Sequence, residues 1–205
     1  MKQLIVISNP TPLPGEANTI NKLFHAGLQL LHLRKPDYSI DEWNRLIEDI
    51  RPEYYERIVL PAMLLQQEQS INMPCRKVHF SEYLRNKTVP IIFNKLKEQG
   101  YVLSTSIHAA TTYNALPETF DYTFFSPVFD SISKQGYKAI KEEQSDVLKQ
   151  QRNTRIIGLG GINEHNCLQA LDNGFDGIAV LGAIWQSGHP VITFKKIQTC
   201  ITNGQ

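Results

Sequence analysis

Short apolar runs alternate with amphipathic segments along almost the whole chain, and this alternation is the feature that most restricts the fold. About eight of the runs have the length of a strand and are too short for a helix. Apolar strands separated by helices predict a parallel sheet that is covered by helices on both faces. Eight such units close into a (β/α)8 barrel, or TIM barrel, which leaves no sheet edge exposed.

A doubly wound open sheet is the alternative arrangement of the same elements. It is less favoured because the turn after the first predicted strand lacks the Gly-x-Gly-x-x-Gly fingerprint of that fold. No linker rich in proline, glycine or serine divides the chain. We therefore expect an α/β protein in which residues 1–205 form a single compact barrel domain.

The predicted elements follow from hydrophobic periodicity and from residues that begin or end helices. The predicted strands are Leu4–Ile7, Leu28–Arg34, Arg57–Leu60, Lys77–Phe80, Tyr101–Ser106, Tyr122–Ser126, Arg155–Leu159 and Ile178–Leu181. The later predicted helices are Ser39–Ile50, Ala62–Gln69, Val89–Gln99, Ala109–Leu116, Glu142–Gln151, Glu164–Asn173 and Thr193–Ile201. A first helix ends at Gly27, and Pro127–Lys141 is the longest predicted loop.

Composition excludes several classes of protein. Hydrophobic residues make up 41% of the chain, charged residues make up 20%, and the net charge is +1. This balance does not indicate the basic surface of a nucleic-acid-binding protein. No apolar run reaches the roughly 18 residues of a membrane span. The apolar start lacks a signal-peptide cleavage site. Three widely spaced cysteines without a CxxC pair are typical of a reducing cytoplasm, where we expect the protein.

Two glycine turns near the end of the chain predict an anion site. Ile156–Asn163 and Asp176–Ile184 each contain an apolar run that ends in small residues, with Gly160, Gly161 and Gly182 at the turns. Backbone N–H groups at such turns can approach an anion, and a following helix adds partial positive charge. A tight turn that requires positive φ would explain either one alone. Their position in the last two units favours phosphate, because those loops often hold phosphate in barrels.

Other polar side chains are predicted to lie at the same end of the barrel. His32 and Arg34 alternate on one face of the second strand, so both can point inward, and Arg34 suits an anion. His108 can move a proton near neutral pH, although a lone loop histidine is often structural. His79 fits core packing as well as a functional role. Further donors follow the fifth and sixth strands, where a solvated loop is the alternative: Ser106, Ser126, Ser131, Ser133 and Lys134.

The order of these pieces resembles the thiamine phosphate synthase and TenI (thiazole tautomerase) family, which has a compact (β/α)8 barrel. The resemblance covers nearly the whole chain. It is carried by motifs at the ends of the last four strands: Ser106-Ile107-His108, Pro127–Lys134, Gly160-Gly161-Ile162 and Gly177–Ile184. In Pro127–Lys134, Ser131 and Ser133 replace two threonines of the family pattern. It implies that the last two turns, including Leu181 and Gly182, hold the phosphate of a thiazole phosphate.

The departures from the family pattern concern the metal and the pyrophosphate. The synthases carry Gln-x-Arg-x-Lys at the second strand, where this chain has His32-Leu33-Arg34-Lys35-Pro36, with Lys35 one place off and expected to point elsewhere. Acidic magnesium ligands that the family has after strands three and four are replaced by Leu60-Pro61 and by His79–Leu84, although Glu82 lies nearby. A pyrophosphate leaving group normally needs a divalent cation and basic residues.

Three functions therefore follow from the resemblance. A TenI-type tautomerase is slightly favoured, with His108 moving the proton and His32 and Arg34 in the catalytic site, and it needs no metal. A thiamine phosphate synthase that joins hydroxymethylpyrimidine diphosphate to thiazole phosphate is the close alternative, and it implies magnesium. A non-catalytic phosphate-binding barrel is the third. The sequence leaves the oligomeric state open, and a homo-oligomer is possible.

Overall fold

The computed structural model describes residues 2–66, 74–129, 148 and 153–203, and it shows a closed barrel of eight parallel strands in sequential order. The predicted fold is therefore confirmed. Each strand pairs in parallel with its neighbours, and β8 closes the barrel against β1. The strands are β1 Gln3–Ile7, β2 Leu30–His32, β3 Ile58–Pro61, β4 Lys77–Phe80, β5 Val102–Ile107, β6 Tyr122–Phe125, β7 Arg155–Leu159 and β8 Gly177–Val180.

Helices lie between the strands. They are α1 Glu16–His25, α2 Ile40–Glu48, α3 Glu82–Lys87, α4 Pro90–Glu98, α5 Ala110–Asn114, α6 Cys167–Asp172, α7 Gly182–Trp185 and α8 Pro190–Asn203. Two 3₁₀ segments, Pro52–Arg57 and Ala62–Gln66, flank β3. Within the described ranges, no helix is both long and apolar enough to cross a membrane.

Local signals explain where several helices begin. The predicted capping box before α2 is present, because the Ser39 side chain accepts from the backbone N–H of Glu42 while Glu42 accepts from Ser39. Pro90 lies at the first position of α4, where its missing N–H is not needed.

Three parts of the helix prediction differ from the structure. The segment predicted as a helix from Ala62 forms a 3₁₀ turn that ends at Gln66. The six-residue helix α3 was not predicted, because it buries Arg85 and lacks an apolar stripe. The four-residue α7 is too short to show periodicity. The predicted helix Glu142–Gln151 lies outside the described residues except for Leu148, as does the predicted loop beyond Phe129.

Two layers of apolar side chains stabilise the barrel, and the polar groups of the site lie at one end of it. The inner layer fills the barrel with side chains that point inward, including Ile5, Ile7, Leu30, Tyr122 and Phe124. The outer layer packs the opposite faces of the strands against the helices. Because all the strands run in parallel, their carboxyl ends open at one mouth, where the side chains after each strand meet.

Candidate active site

A histidine and a tyrosine form a buried pair inside the barrel. Nε2 of His32 lies 2.7 Å from the hydroxyl oxygen of Tyr122. The His32 ring also packs edge-on against the rings of His79 and Phe124, with centroids 5.3 and 4.7 Å away. Burial, and to a lesser extent the nearby His79, lowers the pKa of His32 well below its ordinary value. His32 does point inward as the alternation predicted, and it is neutral near pH 7.

His79 is bound between two serine hydroxyls of β5. Its Nδ1 lies 3.0 Å from Oγ of Ser104, and its Nε2 lies 3.1 Å from Oγ of Ser106. Ser104 donates to the carbonyl of Val78, so it accepts from His79, and Nε2 of the ring is left to accept from Ser106. Burial first, and then the charges of Arg34 and Arg85, lower the pKa of His79 to about 4. The neutral His79 ring thus accepts the hydroxyl proton of Ser106. The lone pairs of the Ser106 oxygen can then accept a hydrogen bond from another group.

Arg34 is exposed while its backbone is held by a buried serine. Its N–H donates to Oγ of Ser8 over 2.8 Å, and Ser8 donates back to the Arg34 carbonyl over 3.3 Å. Ser8 follows β1 directly and has no exposed surface. The charge of Arg34 contributes to the lowered pKa of His79, so the guanidinium acts on that ring. The position fits a basic group that can reach a bound anion.

His108 lies at the mouth with one ring nitrogen fixed by the backbone. Nδ1 lies 2.9 Å from the carbonyl oxygen of Ser126, and 47% of the side chain is exposed. Oγ of Ser126 also lies 3.2 Å from Nδ1. The carbonyl is the nearer partner and can only accept, which favours the proton on Nδ1 and the lone pair on Nε2 of a neutral ring. Oε2 of Glu82 is 4.0 Å from that Nε2. The arrangement presents an accessible base beside a carboxylate.

The first glycine turn has the backbone of a tight turn that requires positive φ, which was the alternative explanation of its glycines. Gly160 and Gly161 have φ of +97° and +67°, so both adopt the left-handed region that favours glycine. The loop after β6 pairs with this turn, since Phe129 N–H donates to the Gly160 carbonyl over 3.1 Å. Asn166 donates to the Gly161 carbonyl and accepts from the Asn163 N–H, both at 2.8 Å. These contacts fix the direction of the turn.

The second turn does not have the positive-φ backbone of the first. Gly182 does not have positive φ, and a Cβ at this position would only contact the Gln186 side chain at 3.5 Å. Leu181 caps α7, its carbonyl accepts from the N–H groups of Ile184 and Trp185, and its side chain packs on the inner layer. The turn therefore begins a short helix, whose first N–H groups have no partner within the helix.

Lys35 points toward the loop after β1, where it forms an ion pair. Its Nζ is buried against Oε2 of Glu16 at 2.5 Å and donates to the Thr11 carbonyl at 2.9 Å. This ion pair joins the loop after β1 to the loop after β2.

Sequence reasoning did not identify Ser8, Arg85 or Asn166, which brace the candidate site. The serine at the carboxyl end of β1, and Ser81 as a helix cap before Glu82, are the signals that could have drawn attention to two of them. The predicted anion ligands Ser131, Ser133 and Lys134 lie outside the described residues.

The described mouth has few acidic side chains where the family pattern holds magnesium. β3 ends in Leu60 and Pro61, and the carboxylate after β4, Glu82, pairs with Arg85 at 3.1 Å. Among the described residues, no group of three or more histidine, cysteine, aspartate or glutamate side chains is arranged to hold a metal ion. Octahedral magnesium is usually held by one or two carboxylates together with substrate oxygens.

The fold and the groups at its mouth define the class of protein. The chain is a (β/α)8 barrel whose mouth carries basic side chains, an accessible histidine and glycine turns after the last two strands. It belongs to the thiamine monophosphate synthase family, whose model, TMP-TENI, matches residues 4–184. The family expected from the motifs is thereby confirmed.

Relatives and a solved structure agree with this assignment. A thiamine-phosphate synthase of Listeria welshimeri is 40% identical over 68 residues, which are 31% of this chain and 32% of that protein, so the match spans about a third of this relative. A thiamine-phosphate synthase of Clostridium tetani is 25% identical over 77% of this chain and 75% of its own length. The structure of thiamine phosphate pyrophosphorylase from Bacteroides thetaiotaomicron is 29% identical, covers 98% of both chains and has a TM-score of 0.73.

Proposed function

We propose that this chain is a thiamine-biosynthesis enzyme of the TenI type that aromatises a thiazole carboxylate phosphate by proton transfer. The observation that carries the proposal is the fixed ring of His108. Ser126 holds the proton on Nδ1, so Nε2 faces the mouth as a base. A C–H bond at a ring carbon breaks, its electron pair enters the ring, the proton passes to Nε2, and a proton is returned to the exocyclic carbon.

Other mouth groups would bind the substrate. N–H groups of the turns at Gly160, Gly161 and Gly182, next to Leu181, would bind the phosphate. Arg34 would bind the carboxylate together with Ser131 or Ser133, and Lys134 and Ser106 would add polar contacts. His32 is neutral and buried, so we assign it the support of His79 and Ser106 through the inner layer.

Thiamine phosphate synthase activity is the second candidate. It is supported by the names of the relatives and by Arg34, and it would join hydroxymethylpyrimidine diphosphate to thiazole phosphate. The scarcity of acidic side chains after β3 and β4 weighs against it, because carboxylates usually hold magnesium. A barrel that binds thiazole phosphate without turnover is the third candidate. In each case we propose that residues 1–205 act as one domain, as a monomer or a homo-oligomer. Three free cysteines suit a cytoplasmic location.

One combined assay separates the three. The protein is given the non-aromatised thiazole carboxylate phosphate in one arm, and hydroxymethylpyrimidine diphosphate, thiazole phosphate and magnesium in another. Calorimetry measures binding of thiazole phosphate in a third. We expect aromatisation in the first arm. Thiamine phosphate without aromatisation identifies a synthase, and binding without either product identifies a binding barrel.

His108→Ala is the matching variant, and we expect it to lower kcat for aromatisation about 100-fold, the scale of a general base. His25→Ala, exposed at the end of α1, is the control and leaves kcat unchanged. An undiminished rate in His108→Ala would show that another group is the base.

A further inference from the structure

A buried arginine connects the two groups that face each other at the mouth. Arg85 of α3 is 6% exposed, and its Nη1 donates to Oγ1 of Thr105 at 2.8 Å and to the carbonyl of Ser106 at 2.7 Å. Its Nη2 donates to Oε1 of Glu82 at 3.1 Å. One guanidinium therefore holds the end of β5, two residues before His108, and also the carboxylate opposite that histidine.

The Glu82 carboxylate is shared between two partners. Oε1 is held by Arg85, and Oε2 lies 4.0 Å from Nε2 of His108. When Nε2 takes a proton, the ring becomes a cation that donates to Ser126 from Nδ1 and faces a carboxylate from Nε2. A fixed negative charge at this distance stabilises the cation, with little reorganisation during the reaction.

We propose that Arg85 is a positioning residue for the proton transfer, acting through Glu82 on His108. Arg85 holds Oε1 of the carboxylate, and this keeps Oε2 4.0 Å from Nε2, far enough for a substrate C–H to reach the lone pair. This inference rests on the proposed role of His108 as the base.

Without Arg85 the carboxylate is free to approach Nε2 and to draw the ring proton there. In Arg85→Met we therefore expect the His108 tautomer to shift from Nδ1–H toward Nε2–H, which ¹⁵N chemical shifts of the ring report. In Glu82→Gln the Nδ1–H tautomer remains, since Ser126 still accepts from it.

The kinetic expectation is a loss of kcat with KM within about twofold. Neither side chain is assigned a substrate contact, and both act on a group used in the transition state. We expect a loss of about tenfold for Glu82→Gln, which retains an acceptor for Arg85. We expect a larger loss for Arg85→Met and an intermediate one for Arg85→Lys, which keeps the charge without the planar fork.

Arg51→Met is the matched control, because Arg51 pairs with Glu53 at 3.9 Å on the surface with both side chains exposed. It leaves the tautomer and kcat unchanged. Should Arg85→Met fail to fold, Arg85→Lys and Glu82→Gln carry the test. The proposal is overturned if the folded Arg85 variants keep the wild-type tautomer of His108. It is also overturned if the loss of activity comes from a higher KM and not from a lower kcat. The tautomer is measured without substrate, so it decides the positioning role even if the wild-type protein does not aromatise the thiazole.

Discussion

The hydroxyl of Tyr122 on β6 and the ring of His32 on β2 meet inside the barrel at 2.7 Å, across its inner layer. The pair joins two strands that are 90 residues apart in the sequence. Both groups are buried, and Nε2 of His32 has the Tyr122 hydroxyl as its hydrogen-bond partner.

Tyr122→Phe is therefore expected to lower the free energy of unfolding by about 1–3 kcal/mol, since it leaves a buried ring nitrogen without its partner. Urea unfolding measures the change. Tyr83→Phe is the matched control, because that hydroxyl is on the surface and pairs with Lys87. A loss in Tyr122→Phe no larger than in the control would contradict the buried pair.

The two inner histidines make stability depend on pH. The pKa of each is depressed on folding, for His79 to about 4, so between about pH 6.5 and pH 4 the unfolded chain binds more protons. Stability is therefore fully present above about pH 6.5 and falls as the pH is lowered. From pH 7 to pH 5 we expect a loss of about 1–2 kcal/mol for His79, with a further loss from His32.

Unfolding curves at several pH values in His79→Gln provide the check. We expect a shallower dependence, while exposed His25→Gln leaves it unchanged. Equal slopes in wild type and His79→Gln would show that His79 binds protons alike in both states.

The glycine turns differ in what a side chain would cost. Gly160→Ala requires a left-handed backbone for alanine and brings its Cβ to 3.0 Å from Cα of Pro127, so we expect a loss of about 1–3 kcal/mol and weaker binding of thiazole phosphate. Gly182→Ala has ordinary contacts, and we expect stability within about 0.5 kcal/mol of wild type. Urea unfolding compares the stability of the two variants, and calorimetry compares their binding of thiazole phosphate. Equal losses of stability in Gly160→Ala and Gly182→Ala would be inconsistent with the structure.

The buried ion pair of Lys35 and Glu16 gives a prediction about stability. Lys35→Met leaves a buried carboxylate unpaired, so we expect a loss of about 3–5 kcal/mol in the free energy of unfolding. Replacing both partners, as Lys35→Met with Glu16→Leu, is expected to recover most of it. The exposed pair of Arg51 and Glu53 is the control, with a change below about 1 kcal/mol in Arg51→Met. If the double variant were as unstable as Lys35→Met, the loss of stability would come from altered packing and not from the unpaired carboxylate.

Much of the barrel follows from local pattern. β4 and β7 have the predicted bounds, the capping box before α2 is present, and Gly160 and Gly161 have the positive φ of a tight turn. These features depend on residues near one another in the sequence.

The braces of the candidate site do not follow from the sequence in this way. Arg85 lies on a helix without an apolar stripe, and its partners Thr105 and Ser106 are 20 and 21 residues further along. Ser8 looks like an ordinary loop serine until β2 brings the Arg34 backbone beside it. The ring orientation of His108 likewise depends on the Ser126 carbonyl of the next strand.

The sequence by itself determined the barrel, its parallel order, the family and which residue types reach the mouth, because hydrophobic periodicity and turn chemistry act over a few residues. Only the tertiary structure decided that His32 and His79 are neutral, that His108 presents Nε2, and that Glu82 is held by Arg85. Protonation, tautomer and charge depend on burial and on partners from other strands, which come together only when the barrel closes.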